Sequence, residues 1–110
     1  MFPVRVALAQ INPTVGALAE NRRMIEARLE EARGFGARAV LLPELALTGY
    51  PPEDLLKNAG FLAETRAELE RLLPASRSLL VAVGAPLVLD GHLRNAAALL
   101  QDGRWVDTYA

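Results

Sequence analysis

The sequence of residues 39–56 is AVLLPELALTGYPPEDLL, and it begins with a short apolar run that stops at Pro43. A run with apolar side chains on both faces is typical of a buried strand in a parallel or mixed sheet. Glu44 is the first charged residue after this run. Because open α/β sheets form their ligand crevices at the carboxyl ends of strands, Glu44 is predicted to lie where a substrate binds. A carboxylate that is partly buried there can serve as a general base.

Glu44 and Tyr50 both have ordinary alternatives to a catalytic role. A Glu after a strand is often a solvated loop charge or a carboxylate at the N-terminus of a helix. The Tyr50 hydroxyl could point into a pocket beside Glu44, or its ring could cover the edge of the sheet. The prolines at positions 51 and 52 stiffen the loop, which suits a substrate pocket and an ordinary rigid turn equally. The local sequence leaves these alternatives open.

Upstream of the central run, the sequence predicts a strand and a helix. In residues 4–10, the large apolar side chains of Val4, Val6 and Leu8 alternate with Arg5 and two alanines, and this alternation is typical of a strand. Residues 17–33 repeat apolar side chains at helical spacing, from Leu18 to Ala32, with charged residues on most of the remaining surface. Together with the run at 39–42 these elements form a β-α-β unit, whose crossover is expected to be right-handed and whose strands are expected to be parallel.

Downstream of the central run, a helical pattern is followed by strand patterns. Asn58 is a candidate cap for a second helix that ends at Pro74. Strand-like runs then cover residues 79–109, with Asp-Gly turn dipeptides at 90–91 and 102–103. These turns predict antiparallel pairing, so the expected fold class is α/β with a mixed sheet. No linker, repeat or internal domain boundary is present, so the chain is predicted to be a single unit.

The composition excludes several classes of function. The 12 basic and 13 acidic residues are spread evenly and give a net charge of −1, so nucleic acid is not an expected partner. With no Cys and a single His, neither a disulfide framework nor a metal centre is expected. No segment has the length and hydropathy of a membrane span or a signal peptide, so a membrane is not an expected partner and the cytoplasm is the expected compartment.

Two motifs in the central stretch resemble those of a known family. PEL at residues 43–45, followed by TGY at 48–50, resembles the first catalytic motif of the carbon–nitrogen hydrolase (nitrilase) superfamily. The longer string YPPEDLL at 50–56 is similar to the amino-terminal glutaminase domain of glutamine-dependent NAD synthetases. VALAQINPTVG at 6–16 and Asn21 fit the same domain, so the resemblance runs along essentially all of the chain.

The resemblance implies a fold, a reaction and a set of partners. The implied fold is the N-terminal part of the nitrilase-type four-layer α-β-β-α sandwich. The superfamily hydrolyses carbon–nitrogen bonds with a Cys that attacks the amide carbon, a Glu that acts as general base, and a Lys that stabilises the tetrahedral intermediate. Glutamine would be the small-molecule substrate, and its ammonia would amidate deamido-NAD in a separate synthetase domain that uses ATP and magnesium. Such proteins are commonly homo-oligomers, and no cofactor is expected in this chain.

Of the family's catalytic residues only Glu44 carries over by position, and Tyr50 is the candidate for binding substrate. The chain has no Cys, and its single lysine, Lys57, does not match the family's position and is expected to be a solvated charge. Asn95 is expected to hydrogen-bond between strands in a structural role. We therefore expect residues 1–110 to be a partial glutaminase domain of a larger protein, inactive alone and prone to associate through apolar surface that lacks its partner layer.

Two other interpretations remain. The chain could belong to a nitrilase-like amidase with no synthetase half, or it could be a complete small α/β module that binds a partner and catalyses nothing. The coding sequence downstream would distinguish these two interpretations from the synthetase. A Cys-bearing strand followed by a nucleotide-binding domain is expected only for the synthetase.

Overall fold

The computed structural model describes residues 3–110. Within these residues, one mixed sheet has five strands that neighbour one another in chain order. The strands are β1 (Val6–Leu8), β2 (Ala39–Leu41), β3 (Leu80–Leu89), β4 (His92–Gln101) and β5 (Arg104–Tyr109). The first three strands are parallel, β4 runs antiparallel to β3, and β5 runs antiparallel to β4. The mixed α/β sheet expected from the sequence is confirmed.

The α-helices of the described residues pack against one face of this sheet. They are α1 (Leu18–Gly34) and α2 (Ala59–Leu72), and short 3₁₀ turns at Glu53–Lys57 and Leu73–Ser76 flank α2. The predicted cap of α2 is confirmed, because the Asn58 side chain accepts a hydrogen bond from the Phe61 backbone N–H at 2.9 Å. Within residues 3–110, no helix combines the length and the apolar character needed to cross a bilayer.

β1 is shorter than the strand predicted at residues 4–10. It lies at the edge of the sheet and pairs with β2, which is itself three residues long. The ladder therefore ends where Leu8 faces Leu41, and one further bond follows it, from the Ala9 N–H to the Leu41 carbonyl at 2.9 Å. The alternation is as predicted, since Ala9 packs against the core and Val6 is exposed.

The sheet face opposite the helices, called the open face below, carries apolar side chains that solvent reaches. Leu8 is 72% exposed and its partner Leu41 is 46% exposed, whereas Val40 and Val81 on the helix-facing side are fully buried. In register across the sheet, the open face comprises Val6, Leu8, Ala39, Leu41, Leu80, Ala82, Ala97 and Leu99. The interpretation of residues 39–42 as a strand covered on both faces is therefore wrong, because no element of the described residues covers Leu41. The apolar surface expected from the sequence is present, and association through it remains a prediction.

Candidate active site

Glu44 follows β2 at the point where the chain leaves the sheet. The regular strand pairing with β3 ends with the bond from the Leu42 N–H to the Ala82 carbonyl, and residues 44–48 then form a turn, from which the Leu47 N–H donates to the Gly84 carbonyl at 3.3 Å. The backbone of this turn lies directly on Gly84 of β3, because a Cβ atom at Gly84 would be 2.6 Å from the Leu45 nitrogen and 3.0 Å from Glu44 Cα. A glycine is needed for this approach, as is typical where another backbone crosses a strand closely. Gly84 therefore sets how near Glu44 lies to the sheet.

Leu45 redirects the chain immediately after Glu44. Its φ is +53°, in the left-handed region that residues other than glycine rarely adopt. Such a conformation costs about 1–3 kcal/mol and persists where the surroundings enforce it. Here the Leu45 side chain is buried, and its carbonyl accepts the Gly49 N–H at 2.9 Å. The chain reversal buries Leu45 while Glu44 stays at the surface of the sheet.

Asn21 ties this turn to α1 and to the loop after β1. Asn21 is fully buried, and its Nδ2 donates to the carbonyls of Leu47 (3.0 Å) and Thr14 (2.8 Å) while its Oδ1 accepts the Thr14 N–H (2.9 Å). Gly49, at φ +80°, adds a close contact, because a Cβ there would be 2.7 Å from Val15 Cα. These contacts hold the turn in one position.

The Glu44 carboxylate lies beside an open cavity of about 280 Å³ on the open face. The walls come from the end of β2, from β3 and β4, and from the end of β5, and half of the lining residues are Ala or Gly. Glu44, Asn95 and Tyr109 supply the polar side chains of the cavity. The Asn95 side-chain nitrogen donates a hydrogen bond to Glu44 Oε1. The cavity therefore holds one carboxylate, anchored by one amide, next to the end of β5.

Glu44 is more exposed than the sequence led us to expect. The partial burial predicted at the strand end is not found, because the residue is exposed. The physical reason is the size of its neighbours, since Ala82, Gly84 and Ala97 line the cavity and are too small to cover a carboxylate. The carboxylate nevertheless lies at a concave surface next to Tyr109, near the end of β5. Its role as general base stays a prediction.

Tyr50 does not line this cavity. Its side chain is 73% exposed, and the cavity walls are formed by other residues. Its role in binding substrate stays a prediction. Lys57, expected to be a solvated charge, has a side chain that is 85% exposed and lies 3.8 Å from Asp54.

The arrangement supplies a proton acceptor. Glu44 Oε1 is engaged by Asn95, and no second side-chain hydrogen bond reaches the carboxylate from residues 3–110. The sequence contains no Cys, so the chain itself supplies no thiol. Across the described residues, no group of three or more His, Cys, Asp or Glu side chains is arranged to hold a metal ion.

Sequence reasoning missed two features of this site. Gly84 had a detectable signal, because a glycine inside an apolar strand often marks the close approach of another backbone. The contact that Asn95 makes had no detectable signal in the sequence. Asn95 was expected to bond between strands, and its partner is instead Glu44, 51 residues earlier in the chain. A contact over that separation follows from the sheet order and register and cannot be inferred from local pattern.

Comparison with known proteins identifies the family. Residues 5–110 match the family model described as carbon-nitrogen hydrolase. The chain belongs to the carbon–nitrogen hydrolase family. The chain is 44% identical over 107 residues to the glutamine-dependent NAD(+) synthetase of Xylella fastidiosa, a match that covers 96% of the chain and 20% of that protein. The chain thus spans about a fifth of the length of the curated relatives it matches.

Solved structures of other proteins have the same fold as this chain. The glutamine-dependent NAD+ synthetase from Acinetobacter baumannii, determined in complex with ADP, matches it with a TM-score of 0.91 at 27% identity, over 99% of this chain and 21% of that one. An amidase from Nesterenkonia sp. matches with a TM-score of 0.78 at 20% identity, over 96% and 41% of the respective chains, and shows the fold alone. The nitrilase-type fold expected from the sequence is confirmed.

Proposed function

We propose that this chain is the N-terminal part of the glutaminase domain of a glutamine-dependent NAD synthetase. The identity of 44% to the Xylella fastidiosa synthetase, along 96% of the chain, supports this assignment. The alternative of a nitrilase-like amidase has weaker support, because the Nesterenkonia amidase is 20% identical. Membership of the carbon–nitrogen hydrolase family argues against a binding module without catalytic activity.

The observation that carries the proposal is the Glu44 carboxylate, anchored through Oε1 beside the cavity of the open face. Glu44 is the proposed general base. It would take the proton of a thiol as that thiol attacks the side-chain amide carbon of glutamine, and it would pass the proton to the amide nitrogen, which leaves as ammonia. Water would then hydrolyse the resulting thioester, which releases glutamate and restores the thiol. A Lys amine would stabilise the oxyanion of the tetrahedral intermediate. Both of these groups would come from residues beyond this chain, which has no Cys and whose Lys57 lies away from the cavity.

The ammonia would be used by a synthetase domain to amidate deamido-NAD. ATP and magnesium would act in that domain. The same assignment implies a homo-oligomeric protein in the cytoplasm.

Glutamine hydrolysis by the longer protein that carries this chain tests the role of Glu44. We expect Glu44→Gln to lower the glutaminase kcat by about 10²–10⁴-fold, the usual contribution of a general base. NAD formation from added ammonium should be unchanged, because free ammonia bypasses the glutaminase step. The measurement compares glutamate release with NAD formation from each nitrogen source, and the 110-residue chain alone should release no glutamate.

Glu53→Gln is a matched control, because it removes an exposed carboxylate from the same connection between β2 and α2 and lies outside the cavity. It should leave the glutaminase kcat near that of the unmodified protein. Glutaminase activity that survives Glu44→Gln, or glutamate release by the 110-residue chain, would contradict the proposal.

A further inference from the structure

We infer that Asn95 is a positioning residue for Glu44, whose carboxamide fixes one carboxylate oxygen so that the other is presented for proton transfer. The catalytic consequence rests on the proposed function, whereas the contact itself is a property of this chain. The contact replaces the bond between strands that was expected of Asn95, because the Asn95 side-chain nitrogen donates to Glu44 Oε1.

The place of Asn95 in the sheet explains why it can hold Glu44. Asn95 pairs with Pro86 across the β3–β4 ladder, two residues along β3 from Gly84. The backbone of Glu44 packs directly against Gly84, and the Asn95 side chain binds the Glu44 carboxylate. The ladder between β3 and β4 is continuous from Leu80 to Leu89, so the distance between these two contacts is fixed by sheet geometry. The same hairpin therefore sets both the backbone and the side chain of Glu44.

The chemistry of the two side chains determines how they are oriented. An ionised carboxylate only accepts hydrogen bonds, so the Asn95 amide must present its nitrogen to Glu44 and turn its oxygen away. A bond to a charged acceptor is stronger than one between neutral groups. A carboxamide also does not titrate, so Asn95 cannot take the proton that a general base must accept. Asn95 is therefore suited to hold Glu44 without competing with it.

The small residues in the cavity wall cannot replace this contact. Ala82, Gly84 and Ala97 have no side-chain donor. Among residues 3–110, the side-chain hydrogen bond to Glu44 comes from Asn95. Because Glu44 is exposed, its carboxylate is free to change rotamer once Asn95 is removed. Removal of the Asn95 amide should therefore let the Glu44 carboxylate lose its fixed orientation, while the shape of the cavity is unchanged.

The kinetic test uses Asn95→Leu in the longer protein, because Leu has a similar volume and no donor. We expect the glutaminase kcat to fall on the order of 10- to 100-fold, with KM unchanged. Gln101→Leu is the matched control, since it removes a carboxamide from the same strand and the same face at a position that is not in the cavity. Its kcat should equal that of the unmodified protein. Asn95→Gln keeps the donor and should recover part of the lost kcat.

A double variant separates positioning from a structural or substrate-binding role. If Asn95 acts through Glu44, adding Asn95→Leu to Glu44→Gln should not lower the residual kcat further, because coupled residues are not additive. A further loss of kcat, a raised KM, or an unchanged kcat in Asn95→Leu alone would overturn the inference. A fall in melting temperature without a fall in the kcat of the folded protein would overturn it as well.

A spectroscopic test stands apart from activity. In ¹H–¹⁵N spectra of the 110-residue chain, Glu44→Ala should shift the side-chain amide signals of Asn95 and leave those of Gln101 in place. Unshifted Asn95 signals would overturn the contact itself. If the Asn95 signals shift while Glu44→Gln retains glutaminase activity, the proposed function fails and the contact stands.

Discussion

At Gly84 a missing side chain lets the turn that carries Glu44 lie against β3. The nearest atoms to an added Cβ would all be backbone, at 2.6 Å (Leu45 nitrogen), 2.8 Å (Pro43 oxygen) and 3.0 Å (Glu44 Cα). Backbone atoms cannot move aside as the end of a flexible side chain can. The position of the candidate general base therefore depends on a residue that takes no part in the chemistry.

We predict that Gly84→Ala destabilises the chain by about 1–3 kcal/mol, the usual range for overpacking a tight site. The control is Gly34→Ala at the end of α1, where an added Cβ would meet nothing within 4 Å. Urea unfolding of the two variants measures the difference, and Gly34→Ala should unfold at or above the denaturant concentration of the unmodified chain. Equal urea midpoints of unfolding for the two variants would contradict the prediction, because the turn would then have moved aside without loss of stability.

Much of the candidate site follows from the sequence at the residue scale, and part of it does not. Glu44 was placed at the carboxyl end of a buried strand from a run of four apolar residues and a proline. Its degree of exposure and its partner were not foreseen. Both depend on which side chains lie across the sheet, namely the small residues of β3 and β4 and the amide of Asn95. Local pattern carries no information about those neighbours.

At the scale of elements, an ion-pair network joins the two helices. Arg22 of α1 binds Glu68 of α2, and it also binds Glu26 at 2.8 Å. Arg71 binds Glu68 at 2.8 Å from the other side. The hydrogen bond to Glu68 raises the pKa of Arg22 above its ordinary value. The Glu68 side chain is 7% exposed, which makes this pair less screened than those at the surface.

We predict that Arg22→Leu destabilises the chain by about 1–3 kcal/mol, because buried Glu68 loses one of its partners. Arg28→Leu is the control, since it removes a surface pair to Glu31 at 3.5 Å with both side chains about half exposed. Surface pairs contribute about 0–1 kcal/mol, so this variant should be nearly neutral. Chemical unfolding at pH 7 measures both, and a loss no greater in Arg22→Leu than in Arg28→Leu would contradict the prediction.

At the scale of the whole molecule, the sheet is covered on one side only. The helix-facing side carries fully buried side chains such as Val81 and Val83, and the open face carries exposed ones such as Leu8. An α-β-β-α sandwich of the kind implied by the sequence would place a second sheet against the open face. A large exposed apolar surface on a chain with an uncovered edge strand favours association.

We predict that the 110-residue chain associates in solution through its open face. Replacing Leu8 and Leu41 together by Lys should shift the chain towards monomer, because the two are neighbours in register on that face. Phe35→Lys is the control, since it removes an exposed apolar side chain beside the end of α1. Sedimentation velocity distinguishes the species. An unmodified chain that stays monomeric as its concentration is raised would count against the prediction.

The sequence by itself determined the element order, the mixed sheet and the position of Glu44 after β2. These features follow from the spacing of apolar residues and from turn dipeptides, which act over a few residues. The tertiary structure alone decided that Gly84 carries the turn, that Asn95 holds the carboxylate and that Glu44 is exposed. Each of these joins segments far apart in the chain, so it exists only once the sheet has fixed their order and register.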